Sequence, residues 1–171
     1  MLEECTASVE KALELDPNDH EAHRIMGSIS LNLGNFDLAQ YHHERAKELC
    51  PSDAYILGKN AALLVYLGEP EKALKTVHKA MRMNPFCPDD LFIDEGMCHF
   101  WLKNYYDAIN CFKKIKTPCK ESLFYLAATY AKLRKIEQSS EMLKKSVKTT
   151  NMNPEEFLMT QGYKEVHMKN E

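Results

Sequence analysis

The stretch His20–Asp53 reads HEAHRIMGSISLNLGNFDLAQYHHERAKELCPSD and carries two helical patterns in tandem. Ile25, Met26, Ile29 and Leu33 recur at three- and four-residue steps, which gathers them on one helix face. Gly34-Asn35 breaks that helix, and Phe36 opens a second one carrying Leu38, Ala39, Ala46 and Leu49. Pro51 stops the second helix, because proline lacks the amide donor and clashes with the preceding turn. Asp53 is placed to cap the helix that follows. The same layout returns on both sides. Pro17, Pro51 and Pro85 stand 34 residues apart, and Ala12, Ala46 and Ala80 each lie five residues before their proline. Ala39 and Ala73 lie twelve before theirs, with Cys5 in the matching place of the first unit. A fixed period of this length predicts an all-α solenoid, in which each unit buries its apolar face against its neighbours.

The next unit repeats the plan, with a helix from Tyr55 to Leu67, a Gly68-Glu69-Pro70 turn, and a helix from Glu71 to Met83. The small residues have a mechanical reason. Gly27, Ala39, Ala61 and Ala73 fall where antiparallel helices cross, and larger side chains would push the axes beyond their usual spacing of about 8–10 Å.

Composition narrows the classes. Apolar residues at 44% and charged residues at 27% are those of a folded chain rather than a disordered one. The net charge of -3 disfavours a general nucleic-acid binder. Residues 1–53 hold 4 Lys and Arg against 11 Asp and Glu, so the N-terminal part would repel polyphosphate. The later basic runs, Lys113-Lys114-Ile115-Lys116 and Lys144-Lys145, are short and read as solvated helix faces. Six cysteines show no CxxC pair and no disulfide-framework spacing. The start has no basic segment followed by an apolar run, and no stretch approaches the ~20 apolar residues that span a bilayer. The expectation is a soluble cytoplasmic protein with reduced thiols and no membrane partner.

The units resemble the tetratricopeptide repeat. In unit 20–53, Met26-Gly27, Ala39, Ala46 and Pro51 occupy the signature places, and in unit 54–88 Leu57, Ala61, Ala73, Ala80 and Pro85 do so. Unit 89–119 fits through Phe92, Gly96, Ala108 and Phe112 after a one-residue slip, with its second helix cut short by about three residues at Thr117-Pro118. Unit 120–153 fits loosely through Leu123, Ala127, Tyr130 and Leu143, with Ser139 and Ser146 replacing the usual alanines. Residues 1–19 look like the second helix of an earlier unit, and 154–171 form a tail with a short helix near 154–161. The resemblance implies a right-handed superhelix of antiparallel helix pairs. The joint Met83-Asn84-Pro85-Phe86-Cys87-Pro88, the run Trp101 to Ile109, and the tail Phe157 to Val166 are similar to repeats following the catalytic domain of some bacterial adenylate and guanylate cyclases and to those of related transcriptional regulators. That similarity implies a regulatory or docking portion of a larger protein. A leading half repeat implies either such a longer chain or pairing with another copy.

No constellation carries catalysis. His20, His23, His42 and His43 lack a cysteine or carboxylate to complete a ligand set. His23 and His43 fall at core positions, while His20 and His42 are expected to face solvent. Cys98 and His99 are neighbours on one helix and point ~100° apart, so they cannot act as nucleophile and base for each other. None of the phosphate-loop, zinc-protease or nucleophile-elbow motifs is present. Neither enzyme activity, cofactor nor metal is expected, and no small-molecule substrate.

The resemblance places the first helix of each pair on the concave surface. This assigns Glu21, Arg24, Ser28 and Asn32 to the groove, then Tyr55, Lys59, Ala62 and Tyr66, then Asp90, Asp94, Met97 and Trp101, then Glu121, Tyr125, Ala128 and Lys132. Asp90, Asp94 and Glu121, flanked by Trp101 and Tyr125, would form an acidic patch suited to a protein or peptide segment bearing Arg or Lys beside an apolar neighbour. One tetratricopeptide subtype clamps the C-terminal carboxylate of heat-shock chaperones with Lys and Asn. The matching places here hold Arg24, Ser28, Lys59, Asp90 and Asp94, and two acids would repel a carboxylate. The expected function is a non-enzymatic interaction scaffold within a signalling or regulatory protein. The alternative is homo-oligomerisation, as a homodimer, through the open half repeat.

Overall fold

The computed structural model describes residues 2–84 and 86–148. Pro85, the end of the 120–153 unit and the tail with its expected helix near 154–161 lie outside them. The described residues form nine helices: α1 (Leu2–Leu15), α2 (His20–Asn32), α3 (Phe36–Leu49), α4 (Ala54–Tyr66), α5 (Pro70–Met83), α6 (Asp89–Trp101), α7 (Tyr105–Lys113), α8 (Lys120–Lys132) and α9 (Ile136–Lys148). Helices α2 and α3, α4 and α5, α6 and α7, and α8 and α9 pack as pairs, and each pair meets the next. Helices α2, α4, α6 and α8 also touch in succession, which makes one continuous face of first helices. Among the described residues no helix is long and apolar enough to cross a membrane.

Local chemistry sets the helix starts. Asp19 Oδ1 accepts from the amides of Glu21 and Ala22 at 2.9 and 3.1 Å, and Asp53 Oδ1 from those of Tyr55 and Ile56 at 2.7 and 3.0 Å. Each aspartate satisfies donors that a helix start leaves orphaned. Asn35 caps α3 in the same way through the Leu38 amide, and Pro70 stands in the first turn of α5.

The ends of the first helices share one turn. The amides of Asn35, Glu69, Asn104 and Lys135 donate to the carbonyls of Ser30, Leu64, His99 and Tyr130 at 2.8–2.9 Å. The residue before each of these donors is left-handed: Gly34 (φ 73°), Gly68 (φ 79°), Lys103 (φ 62°) and Arg134 (φ 56°). Glycine takes that conformation freely, whereas a side chain there costs about 1–2 kcal/mol. Units three and four therefore hold the same turn under strain. Arg134→Gly is expected to raise stability by about 0.5–1 kcal/mol, after allowing for the greater freedom of glycine in the unfolded chain. Gly34→Ala should have the opposite sign, because the space around Gly34 is open and only its φ resists. Urea midpoints at unchanged m-value check both.

Close crossings account for the small residues. A Cβ on Gly27 would stand 2.8 Å from His43 Cδ2, and one on Gly96 would stand 2.5 Å from Phe112 Cε1. Ala39, Ala46, Ala61, Ala73, Ala80 and Ala108 are all fully buried. In the fourth pair the serines keep this spacing and direct their hydroxyls across it. Ser139 Oγ donates to the Ala127 carbonyl at 2.9 Å, and Ser146 Oγ to the Lys120 carbonyl at 3.3 Å. The largest core cluster lies between the second, third and fourth pairs, around Val77, Met97, Cys98, Ile109, Phe112 and Tyr125.

Two details differ from the sequence reading. Helix α7 has 9 residues where α3 and α5 have 14, so the third pair is shortened by more than the expected three. The chain after it is held by Asp89, whose carboxylate accepts from the Lys116 amide at 3.1 Å and the Thr117 amide at 2.8 Å. A cleft of about 230 Å³ lies between α7, α8 and α9, lined by Phe112, Ile115, Pro118, Leu123, Leu126 and Met142. His42, expected in solvent, is buried, with its Nδ1 2.9 Å from His23 Nδ1. His23 Nε2 lies 3.1 Å from the Pro17 carbonyl and must donate to it, so neutral His23 accepts at Nδ1 and His42 donates. Burial, reinforced by His23, lowers the His42 pKa and favours its neutral, donating form.

Candidate partner-binding groove

The face shared by α2, α4, α6 and α8 holds a chain of charges and rings. Arg24 pairs with Glu21, its Nε donating to Oε2 at 2.8 Å, and its guanidinium carbon lies 4.7 Å from the centre of the Tyr55 ring. Lys59 Nζ sits 5.1 Å from the same ring and 3.1 Å from Asp90 Oδ2. Two cations from successive first helices thus lie over the Tyr55 ring, each attracted to its π-system. Farther along, the Tyr66 hydroxyl donates to Glu121 Oε1 at 3.5 Å, linking α4 to α8.

Lys59 is the hub. Burial works against its charge, but Asp94, Asp90 and Tyr55 outweigh that penalty and hold its pKa above the usual lysine value. Burial pushes the Asp94 carboxyl up to about 8; Lys59 opposes this, and Glu121 and Asp90 add to it. Burial likewise raises Glu121, against the pull of Lys59 and the Tyr66 hydroxyl. Asp94, raised to about 8, keeps its proton near neutral pH.

The groove therefore differs from the acidic pocket expected from the sequence. Asp94 is 5% exposed and turns inward, its Oδ2 buried without a hydrogen-bond partner among the described residues. It lies against Gly58, where an added Cβ would stand 3.4 Å from that oxygen. Tyr125 is 2% exposed, stacked on Phe112 with 18° between the planes and meeting Phe100 edge-on. It fills the core, so it cannot serve as a stacking ring for a partner. Met97, also assigned to the groove, is buried in the same cluster. Of the acids, Asp90 is engaged by Lys59 and Glu121 by Tyr66. Tyr55 and Trp101 remain exposed, at 41% and 38%.

Sequence reasoning named Lys59 but missed its joining role. The signal was available: with the one-residue slip, Lys59 and Asp94 occupy matching places in successive first helices, where opposite charges converge. The two buried thiols are poor nucleophiles. Cys98 is fully buried, and burial pushes its pKa up to about 12. Burial and the adjacent Glu95 raise Cys111 further still. The thiolate, not the thiol, is the reactive form.

This fold is that of the tetratricopeptide-repeat solenoids, a right-handed superhelix of antiparallel helix pairs. No protein-family model matches the sequence, and no curated protein sequence matches it. Solved structures do. PilW, a widely conserved type IV pilus biogenesis factor, superposes with a TM-score of 0.74 at 21% identity, over 93% of this chain and 74% of its own. A thermophilic tetratricopeptide-repeat protein of Thermus thermophilus gives 0.73 at 18% identity, over 93% and 88%. YrrB, a tetratricopeptide-repeat protein with an unusual peptide-binding site, gives 0.57 at 22% identity, over 99% and 84%.

Proposed function

We propose that the chain is a non-enzymatic interaction scaffold that receives a partner segment on the face of α2, α4, α6 and α8. It serves as a portion of a larger signalling or regulatory protein of the cytoplasm. The observation that carries this reading is the row Arg24, Tyr55, Lys59 and Asp90, which crosses three helices and leaves the rings of Tyr55 and Trp101 at the surface. Exposed aromatics beside fixed charges are the usual anchors of a binding surface. One similar solved structure, YrrB, is described as having a peptide-binding site.

The partner segment carries Arg or Lys beside an aromatic or apolar residue. Its cation shares Asp90 and Glu121, and its apolar neighbour packs on Trp101. Asp94 contributes to the floor of this site rather than to a surface charge.

A peptide library varied in basic and aromatic content, screened against the purified chain, tests this reading. Trp101→Ala combined with Asp90→Asn is expected to weaken binding about 30-fold or more, the scale of one lost hot spot of ~2 kcal/mol. Unchanged binding in that variant would remove the groove as the site. The alternative is homo-oligomerisation through 1–19. It predicts no peptide binding and a mass that rises with concentration and falls when those residues are deleted.

A further inference from the structure

We propose that His78, Glu95 and His99 form a binding site for a divalent transition-metal ion, with Zn²⁺ as its natural occupant in size and donor preference. His78 comes from α5, and Glu95 and His99 lie one helical turn apart on α6. One ligand atom from each of the three lies within 4.8 Å of the others. His78 Nε2 is already 3.0 Å from Glu95 Oε1. Donors around a tetrahedral zinc stand roughly 3.3 Å apart, given bonds of about 2.0–2.1 Å, so small side-chain adjustments close the set.

Three further features fit a metal better than a simple ion pair. His99 Nδ1 is buried with no hydrogen-bond partner among the described residues, a cost that a structure ordinarily avoids. The second oxygen of Glu95, Oε2, accepts from the Cys111 thiol at 3.2 Å. That contact from α7 orients the carboxylate and leaves Oε1 for the ion, as outer-shell partners do. The His78 side chain is 44% exposed, which provides an entry path and room for water or a partner's ligand at the fourth position. Two imidazoles with one carboxylate suit zinc, nickel, cobalt or copper, and are poor ligands for magnesium or calcium, which demand oxygen donors. Glu95 follows Asp94 on α6 and points ~100° away from it, so this site is separate from the groove. An ion here would tie α5 to α6, and so the second helix pair to the third.

Thermal unfolding and calorimetric titration of the full chain with ZnCl₂, and with MgCl₂ for comparison, test the site. Zinc at about 100 times its Kd is expected to raise Tm by roughly 5–10 °C, and magnesium to leave it unchanged. His78→Gln, a change at a half-exposed ring that the core does not need, should weaken zinc binding at least tenfold while the metal-free Tm holds. Glu95→Gln should do the same. Absence of any zinc shift would overturn the proposal. So would equal binding by wild type and His78→Gln, which would place the ion on the exposed thiols or on other histidines.

Discussion

Tyr125→Ala is expected to destabilise the fold by about 3–5 kcal/mol, the range for removing a buried aromatic ring. The ring is 2% exposed and packs on Phe112 and Phe100 in the largest core cluster. Its loss would leave a cavity at the seam between the third and fourth pairs. Tyr125→Phe should behave in the opposite way. The Tyr125 hydroxyl is buried with no hydrogen-bond partner among the described residues, so deleting it removes a desolvated polar group and leaves the ring in place. Chemical denaturation should find the phenylalanine variant as stable as wild type or more so. If alanine cost under about 1 kcal/mol and abolished peptide binding, the ring would belong to the groove after all.

The second large effect is on pH dependence, and Asp94 controls it. Its carboxyl titrates near 3.8 when unfolded and at about 8 when folded. Between those values the folded chain binds more protons than the unfolded one, so stability falls as pH rises through that window. His43 works in the other direction. Burial beneath α2, reinforced by Arg24, Lys59 and His42, lowers its pKa from 6.5 to about 4, so its contribution is lost as pH falls below 6.5. The two slopes oppose each other between about pH 4 and 6.5, and Asp94 acts without His43 above that. Wild type should lose about 1.5 kcal/mol between roughly pH 6.5 and 8, on a scale of about 1.36 kcal/mol per pH unit for one proton. In Asp94→Asn this decline should largely vanish, and the variant should be the more stable protein at about pH 8. Urea midpoints across that range decide the matter. A decline equal in both proteins would show that Asp94 is ionised in the fold.

These two residues mark where the groove stopped being legible in the sequence. Arg24, Tyr55, Lys59, Tyr66, Asp90 and Trp101 were assigned to the face of first helices by their places in the repeat. In the structure Arg24 and Lys59 lie over Tyr55, Lys59 pairs with Asp90, Tyr66 reaches Glu121, and Trp101 is exposed. Asp94 and Tyr125 were assigned by the same rule and are buried. The rule cannot separate them, because a repeat position specifies a direction from the helix axis and not the distance to the next helix.

What the sequence determined by itself was the order and kind of the elements. Three- and four-residue apolar steps make the helices, and Asp19 and Asp53 start two of them. Gly34 and Gly68 end two with a turn that needs a left-handed residue. The alanines and glycines at 34- or 35-residue spacing make the crossings close. All of these are local effects or strict repeats, and they are visible in one dimension. Only the tertiary structure decided that α6, wedged among α4, α5, α7 and α8, would have Asp94 buried against Gly58 and Glu95 directed towards His78. Those outcomes depend on how far one helix stands from the next. Burial changes the energy of a charge far more than any neighbour in sequence does.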